Sequence, residues 1–187
     1  PHRTGDGFAR IGERSGTTKT GGGWTEDAAL RAALRDTLDP GAPRAMAVLQ
    51  PLALEITNWD SAMGAGHLEP CHAPVNPHDE AAGQRHFSFG KTLWIEREDF
   101  QAVPEKGYRR LYPPHTNVSN QAIDGNKVRL KYGYVVQCTG FEQGADGQVT
   151  KVLAAVLPDT KSGTPGADSV KVKGVIGWVG AHDAVPA

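Results

Sequence analysis

Apolar residues alternate with polar ones in several short runs, and this period of two is the property that most restricts how the chain can fold. Leu52, Leu54 and Ile56 alternate with Ala53, Glu55 and Thr57. The pattern recurs with Phe87, Phe89, Leu93 and Ile95 in the stretch from Phe87 to Glu96, with Val128, Leu130 and Tyr132, and with Val170, Val172, Ile176 and Trp178. Side chains of a strand point to opposite faces in turn, so each run reads as a half-buried strand. Gln137 to Phe141 and Gln148 to Leu157 flank Gly144-Ala145-Asp146-Gly147, a hairpin loop whose Asp-Gly pair tolerates positive φ. Leu30, Leu34 and Leu38 recur every fourth position instead, after a capping Thr25 and acidic Glu26 and Asp27, and before Asp39-Pro40-Gly41. Thr25 to Leu38 is therefore expected to be an amphipathic helix docked on something, with a second short helix around Gly7 to Arg14. Residues 60–85 carry Gly, Pro, His and Asn without period and read as a long excursion. The expected fold is mainly β: an antiparallel β-barrel preceded by one or two short α-helices.

A chain of 187 residues has room for one main domain. No run approaches the roughly 20 apolar residues of a membrane helix, and no secretory signal follows Pro1, so no membrane partner is expected. The missing initiator Met points to a piece of a longer chain. Two distant cysteines, Cys71 and Cys138, do not form a disulfide framework, which fits a reducing, cytoplasmic compartment. Catalytic signatures are absent: there is no phosphate loop ending in Lys-Ser or Lys-Thr, no G-x-S-x-G, no H-E-x-x-H and no C-x-x-C. Glu96, Glu98 and Asp99, with Arg97 between them, read as a solvated turn. Cys71, His72 and His78, with His67 nearby, match no common zinc spacing, and the expected reading is a polar loop in which His72 and His78 hydrogen-bond to backbone. No catalytic residue and no metal ligand is assigned.

All four tyrosines lie between Lys106 and Tyr134, interleaved with Lys106, Arg109, Arg110, Lys127, Arg129 and Lys131 and opposed by one acid, Asp124. Cations take phosphates and base edges, and aromatic faces stack on unpaired bases, so this mixture points to single-stranded RNA rather than to DNA. The formal net charge of the chain is -1, so the binding surface must be local. On the strand reading, Lys127, Arg129 and Lys131 share one face without an acid among them, which is unfavourable unless an anion visits. Tyr132 and Tyr134 fall on the apolar parity and are expected in the core.

Ala42-Pro43-Arg44-Ala45-Met46-Ala47-Val48, Phe87-Ser88-Phe89, Trp94-Ile95-Glu96-Arg97-Glu98-Asp99-Phe100, Tyr108-Arg109-Arg110-Leu111, Lys127-Val128-Arg129-Leu130 and Val170-Lys171-Val172-Lys173-Gly174-Val175-Ile176 stand in this order along the chain. Together they resemble the anticodon-binding region of the glutaminyl-tRNA synthetases, from roughly Gly16 to Val185. The related glutamyl-tRNA synthetases share a looser version. The resemblance implies that residues 1–42 are the end of a helical subdomain and that residues 43–187 form the proximal of two anticodon-binding barrels. It implies a tRNA anticodon stem-loop as partner, alongside the catalytic domain and distal barrel of the same parent chain. It also implies the middle anticodon base for Arg44, the third for Arg110, the neighbourhood of the first for Arg129 and Lys131, and phosphates or the loop's backbone for Arg109 and Lys19. The parent enzyme would use ATP and magnesium to attach glutamine, with no cofactor in this segment.

The chain departs from the family pattern at four places. Lys131 replaces a second Arg, Gly107 a Gln and Gly177 a His, while His115 to Asp124 resembles an insertion. Lys131 supplies a point charge where Arg would supply a fork. Two other readings remain open at this point: the same region of a glutamyl-tRNA synthetase, and a stand-alone barrel that binds a protein through Tyr108 and Tyr112.

Overall fold

A computed structural model describes residues 27–186, which divide into two compact units: residues up to Ala45 with Pro74–Arg85, and Met46–Ala73 with the chain from His86 onward. In the first unit, helix α1 spans Asp27–Leu38. The expected cap Thr25, the short helix around Gly7 to Arg14 and Lys19 lie outside the described residues. The buried side of α1 is offset from its leucine stripe: Ala33 is buried, Leu34 and Thr37 are half-buried, and Leu30 and Leu38 are 39% and 56% exposed. Asp39 N and Ala42 N donate to Arg35 O and Leu38 O, closing the helix ahead of the turn at Pro40-Gly41. No described helix is long and apolar enough to cross a membrane.

The second unit is mainly β. Its sheet has seven strands in the order β10-β7-β8-β9-β1-β4-β11, formed by β1 (Pro51–Ile56), β4 (Thr92–Glu96), β7 (Lys127–Leu130), β8 (Val135–Gln143), β9 (Val149–Leu157), β10 (Gly174–Ile176) and β11 (Val179–Gly180). The sheet is mixed rather than antiparallel throughout, because β1 runs parallel to β9 and β10 parallel to β7. Each parallel pair has the long connection that such pairing demands. The two edge strands, β10 and β11, are separated in sequence only by Gly177 and Trp178. The three steps from Ile176 to Val179 span at most ~11 Å, so the sheet must curl into a half-barrel whose edges approach each other there.

The concave side holds the core. Trp59, Phe89, Trp178, Leu54, Leu93, Ile95, Val128 and Leu130 are all fully buried. Phe89 packs edge-on against Trp178 and Tyr134, with ring centroids 4.9 and 5.3 Å apart, and stacks on Trp59 at 5.2 Å. Both indoles find acceptors: Trp178 Nε1 donates to Lys131 O and Trp59 Nε1 to His67 O. Cys71 and Cys138 are buried free thiols, and burial pushes each up to about 11, so they pack as small apolar residues.

Some elements differ from the sequence reading for identifiable reasons. The run from Phe87 to Glu96 is two strands, β3 (Gln84–Phe89) and β4, broken at Gly90 and Lys91 and belonging to different sheets. The excursion at 60–85 contains helix α2 (Trp59–Met63, beginning just before it) and β2 (Glu69–Pro74), the partner of β3; only Cys71 and Ala73 mark the buried parity of β2. His115 to Asp124 folds mostly into a small hairpin, β5 (His115–Thr116) against β6 (Ala122–Ile123). Strand β7 stops at Leu130. Tyr132 then sits in a turn at φ 63°, so of the two tyrosines on the apolar parity Tyr134 is buried and Tyr132 only half so. Val170 to Lys173 is not a strand; pairing begins at Gly174.

Candidate nucleic-acid interface

The segment carrying Tyr108, Arg109 and Arg110 has little regular structure, yet it is held at both ends and in the middle. Leu111 is buried, donates from its N to Asp99 O at 2.9 Å and accepts from Gln101 N at 3.0 Å. Asn126, just before β7, ties the middle down: its Nδ2 donates to Arg109 O at 3.0 Å and to Arg110 O at 2.7 Å, while its Oδ1 accepts from Lys127 N at 2.9 Å. Two glycines permit the close approach. A Cβ at Gly174 would lie 2.2 Å from Arg109 O, and one at Gly125 would lie 1.8 Å from Cys138 O, so neither position admits a side chain without a shift of backbone.

Because β10 pairs with β7 through Gly174↔Val128, the residues just before Gly174 arrive beside the 107–112 segment. A cleft of ≈ 600 Å³ results, with Tyr108 and Tyr112 on its walls, cations from Arg109, Lys127, Lys171 and Lys173, and one acid, Asp124. Asn126 and Gln137 add neutral polar groups. The sequence reading included Lys127 in its cationic cluster but assigned it no contact. Lys171 and Lys173, read there as the polar side of a strand, were not connected to the tyrosines at all.

The arginines expected to read bases are placed differently from Arg109. Arg110 does not line the cleft. Its Nη1 lies 2.9 Å from Glu98 Oε1 and 2.8 Å from Asp99 Oδ1, and the side chain is 43% exposed. Glu98 and Asp99, expected to be a solvated turn, are thus the carboxylates that orient Arg110, and Asp99 is buried. Burial pushes Asp99 up to about 6 even though the Arg110 charge pulls the other way. Tyr108 Oη donates to Glu98 O, and burial, followed by the Asp99 charge, raises its phenol above the usual range. Among the described residues, Nη2 and Nε of Arg110 have no hydrogen-bond partner, so one edge of the fork is anchored and another is presented.

Arg129 is turned toward the loop after β9. Its guanidinium donates to Thr160 O at 2.8 Å, to Ser162 Oγ at 3.2 Å and to Ala167 O. Lys131 follows the strand rather than belonging to it, is exposed, and holds its Nζ 5.4 Å from the Tyr132 ring centroid. In the first unit, Arg44 donates from its N to Val75 O, and from its guanidinium to Ala42 O at 2.7 Å, Asp39 O at 2.8 Å and Asp39 Oδ1 at 2.5 Å, leaving the side chain 29% exposed. The second oxygen of Asp39 lies 2.7 Å from His78 Nε2, so His78 is bonded to a carboxylate rather than to backbone. Among the described residues, Arg109 is therefore the one expected RNA contact on the cleft wall.

A curled β-sheet with an electropositive, tyrosine-walled cleft defines a class of domain suited to gripping single-stranded nucleic acid. Comparison with known proteins makes the class specific: residues 42–157 match the model for tRNA synthetases class I (E and Q), anti-codon binding domain, and the chain belongs to that family. It is 57% identical over 158 residues to a glutamine–tRNA ligase of Bordetella pertussis, covering 84% of this chain and 24% of that protein. It is 51% identical over 175 residues to one of Ralstonia nicotianae, covering 94% and 27%, and 52% identical over 164 residues to one of Cupriavidus taiwanensis, covering 88% and 26%. The chain thus spans about a quarter of the length of the relatives it matches.

Proposed function

We propose that this chain is the anticodon-binding part of a glutamine–tRNA ligase and that it recognises the anticodon loop without contributing a catalytic residue. The observation that carries the reading is the likeness to glutamine–tRNA ligases across most of the chain, which favours glutamine over glutamate as the parent's amino acid. The parent would act in the cytoplasm and use ATP and magnesium at a catalytic domain outside this segment, with residues 1–42 as the end of a helical subdomain, residues 43–187 as the proximal barrel and a distal barrel beyond.

In this proposal Arg110 reads the third anticodon base and Arg44 the middle one. Arg109 and Lys19 hold phosphates. Lys131 stands near the first base, with Arg129 acting there through the loop it holds. The geometry of Arg110 supports its role, because carboxylates fix Nη1 while Nη2 and Nε stay available for a base edge. A bidentate contact of this kind discriminates by ~1–3 kcal/mol, or roughly 5- to 150-fold. The test compares binding of the glutamine anticodon stem-loop with a loop altered at the third base, for the native chain and for Arg110→Ala. The native chain should prefer the correct loop and the variant should not. Equal binding of both loops by the native chain would refute the reading.

A further inference from the structure

Eight of the sixteen described lysines and arginines have their charge answered by named internal partners. Arg31, Arg44, Lys91, Arg110, Lys151 and Lys161 form ion pairs, and Arg97 and Arg129 are bonded to backbone carbonyls. The four cations of the cleft are not among those eight, and unlike Arg35, Lys106 and Lys131, which also lack ion pairs among the described residues, they converge on one concavity. Among the described residues, Arg109, Lys127, Lys171 and Lys173 make no side-chain ion pair or hydrogen bond, and all four are exposed. They come from three separate stretches of chain, brought together by the parallel pairing of β10 with β7 and by the Asn126 clasp. Among the described residues one carboxylate, Asp124, faces them, leaving an excess of three positive charges around ≈ 600 Å³.

Like charges gathered in a concavity repel, and the repulsion is relieved when an anion enters. The concavity has two further properties that restrict which anion fits. Tyr112 and Tyr108 provide aromatic surface beside the ammonium groups, and Asn126 and Gln137 provide neutral polar groups. A free inorganic anion would use only the charges. A nucleotide strand uses both charge and ring, with phosphates on the lysines and a base or sugar against the tyrosines.

We propose that Lys127, Lys171 and Lys173, with Arg109, form a binding site for the phosphodiester backbone of RNA, a grip that adds affinity without reading sequence. The inference rests on the proposed anticodon-loop function and assigns the lysines a part in it that the base-reading arginines do not fill. Phosphate contacts position a nucleic acid and base contacts specify it, so the two sets should separate experimentally.

The experiment measures binding of the glutamine anticodon stem-loop to the 187-residue chain by fluorescence anisotropy across a salt series, for the native chain, K127A/K171A/K173A, K127R/K171R/K173R and K151A, with thermal melts to check folding. Each single-strand phosphate contact contributes about 0.7 to the slope of log K against log salt, so the triple alanine variant should lose about 2 from the magnitude of that slope. Its preference for the correct third base should be unchanged. The arginine variant should keep the native slope, and K151A, whose lysine pairs with Glu55 and Glu142, should behave as native. A folded triple alanine variant with the native slope overturns the inference while leaving the anticodon reading intact. A native chain that binds no stem-loop overturns both.

Discussion

Asn126→Ala should loosen the wall of the cleft and cost measurable stability, by an amount that follows from its contacts. The side chain makes three hydrogen bonds, to Arg109 O, Arg110 O and Lys127 N. A typical intramolecular hydrogen bond contributes ~1 kcal/mol net, so their loss costs up to ~3 kcal/mol. The bonds to Arg109 O and Lys127 N are exposed and water replaces them readily, whereas that to Arg110 O is partly buried, so about 1 kcal/mol is the expected loss. For a domain of this size that corresponds to a fall of roughly 2–4 °C in Tm. Asn126→Asp tests which end of the amide matters. It keeps the acceptor for Lys127 N but turns an oxygen toward two carbonyls now 2.7 and 3.0 Å from a donor; attraction to the solvent-exposed cations nearby is worth at most ~1 kcal/mol and does not offset that contact. The aspartate variant should therefore be less stable than the alanine variant. Urea unfolding of the three proteins, with m-values compared to check that the unfolded state is unchanged, supplies the numbers. An alanine variant within ~0.5 kcal/mol of native, or an aspartate variant as stable as native, refutes the assignment of Asn126 as the clasp of this segment.

Arg129→Ala should free the loop after β9, since the guanidinium bonds to Thr160, Ser162 and Ala167; limited proteolysis should show new cleavage between Ser162 and Ala167, and an unchanged cleavage pattern would refute the clasp. Arg129→Lys should fail to restore it, because a single ammonium cannot replace the two nitrogens that donate here. Asp99 makes stability depend on pH: burial raises its folded pKa from the usual 3.8 to about 6, so the folded state holds the extra proton in that window, and the stability it contributes is fully present below 3.8 and lost as pH rises through 6. Urea midpoints from pH 4 to 7.5 should fall for the native chain relative to Asp99→Asn, and a constant difference would show that burial of the carboxylate has no such effect.

The strands that were legible in the sequence are those with large alternating side chains. Leu52, Leu54 and Ile56 mark β1, and the Asp146-Gly147 pair lies in the turn between β8 and β9, where Gly147 takes φ 75°. β2 was not legible, because Pro70, Cys71, Ala73 and Pro74 carry almost no periodic hydrophobicity. At the candidate site, the density of tyrosines and cations between Lys106 and Tyr134 marked the right stretch of chain, but side-chain direction was beyond it. Arg109 and Arg110 are neighbours in sequence, yet one lines the cleft and the other pairs with Glu98 and Asp99. The partners of Arg129 are mainly backbone oxygens, which leave no trace in residue identity. The convergence of Lys171 and Lys173 on Lys127 depends on the parallel pairing of β10 with β7, a relation across more than forty residues that no local pattern encodes.

The connection through Gly177 and Trp178 has a consequence for synthesis of the chain. β10 completes one margin of the sheet and β11 the other, and both are made after every strand they border. While the ribosome is still reading the codons before Gly174, β7 and β4 each carry an unpaired row of backbone groups able to capture a strand from another nascent chain. One short late-arriving stretch then closes both hazards together, so a premature stop just upstream of it should yield a product prone to aggregate even though most of the core residues are already present.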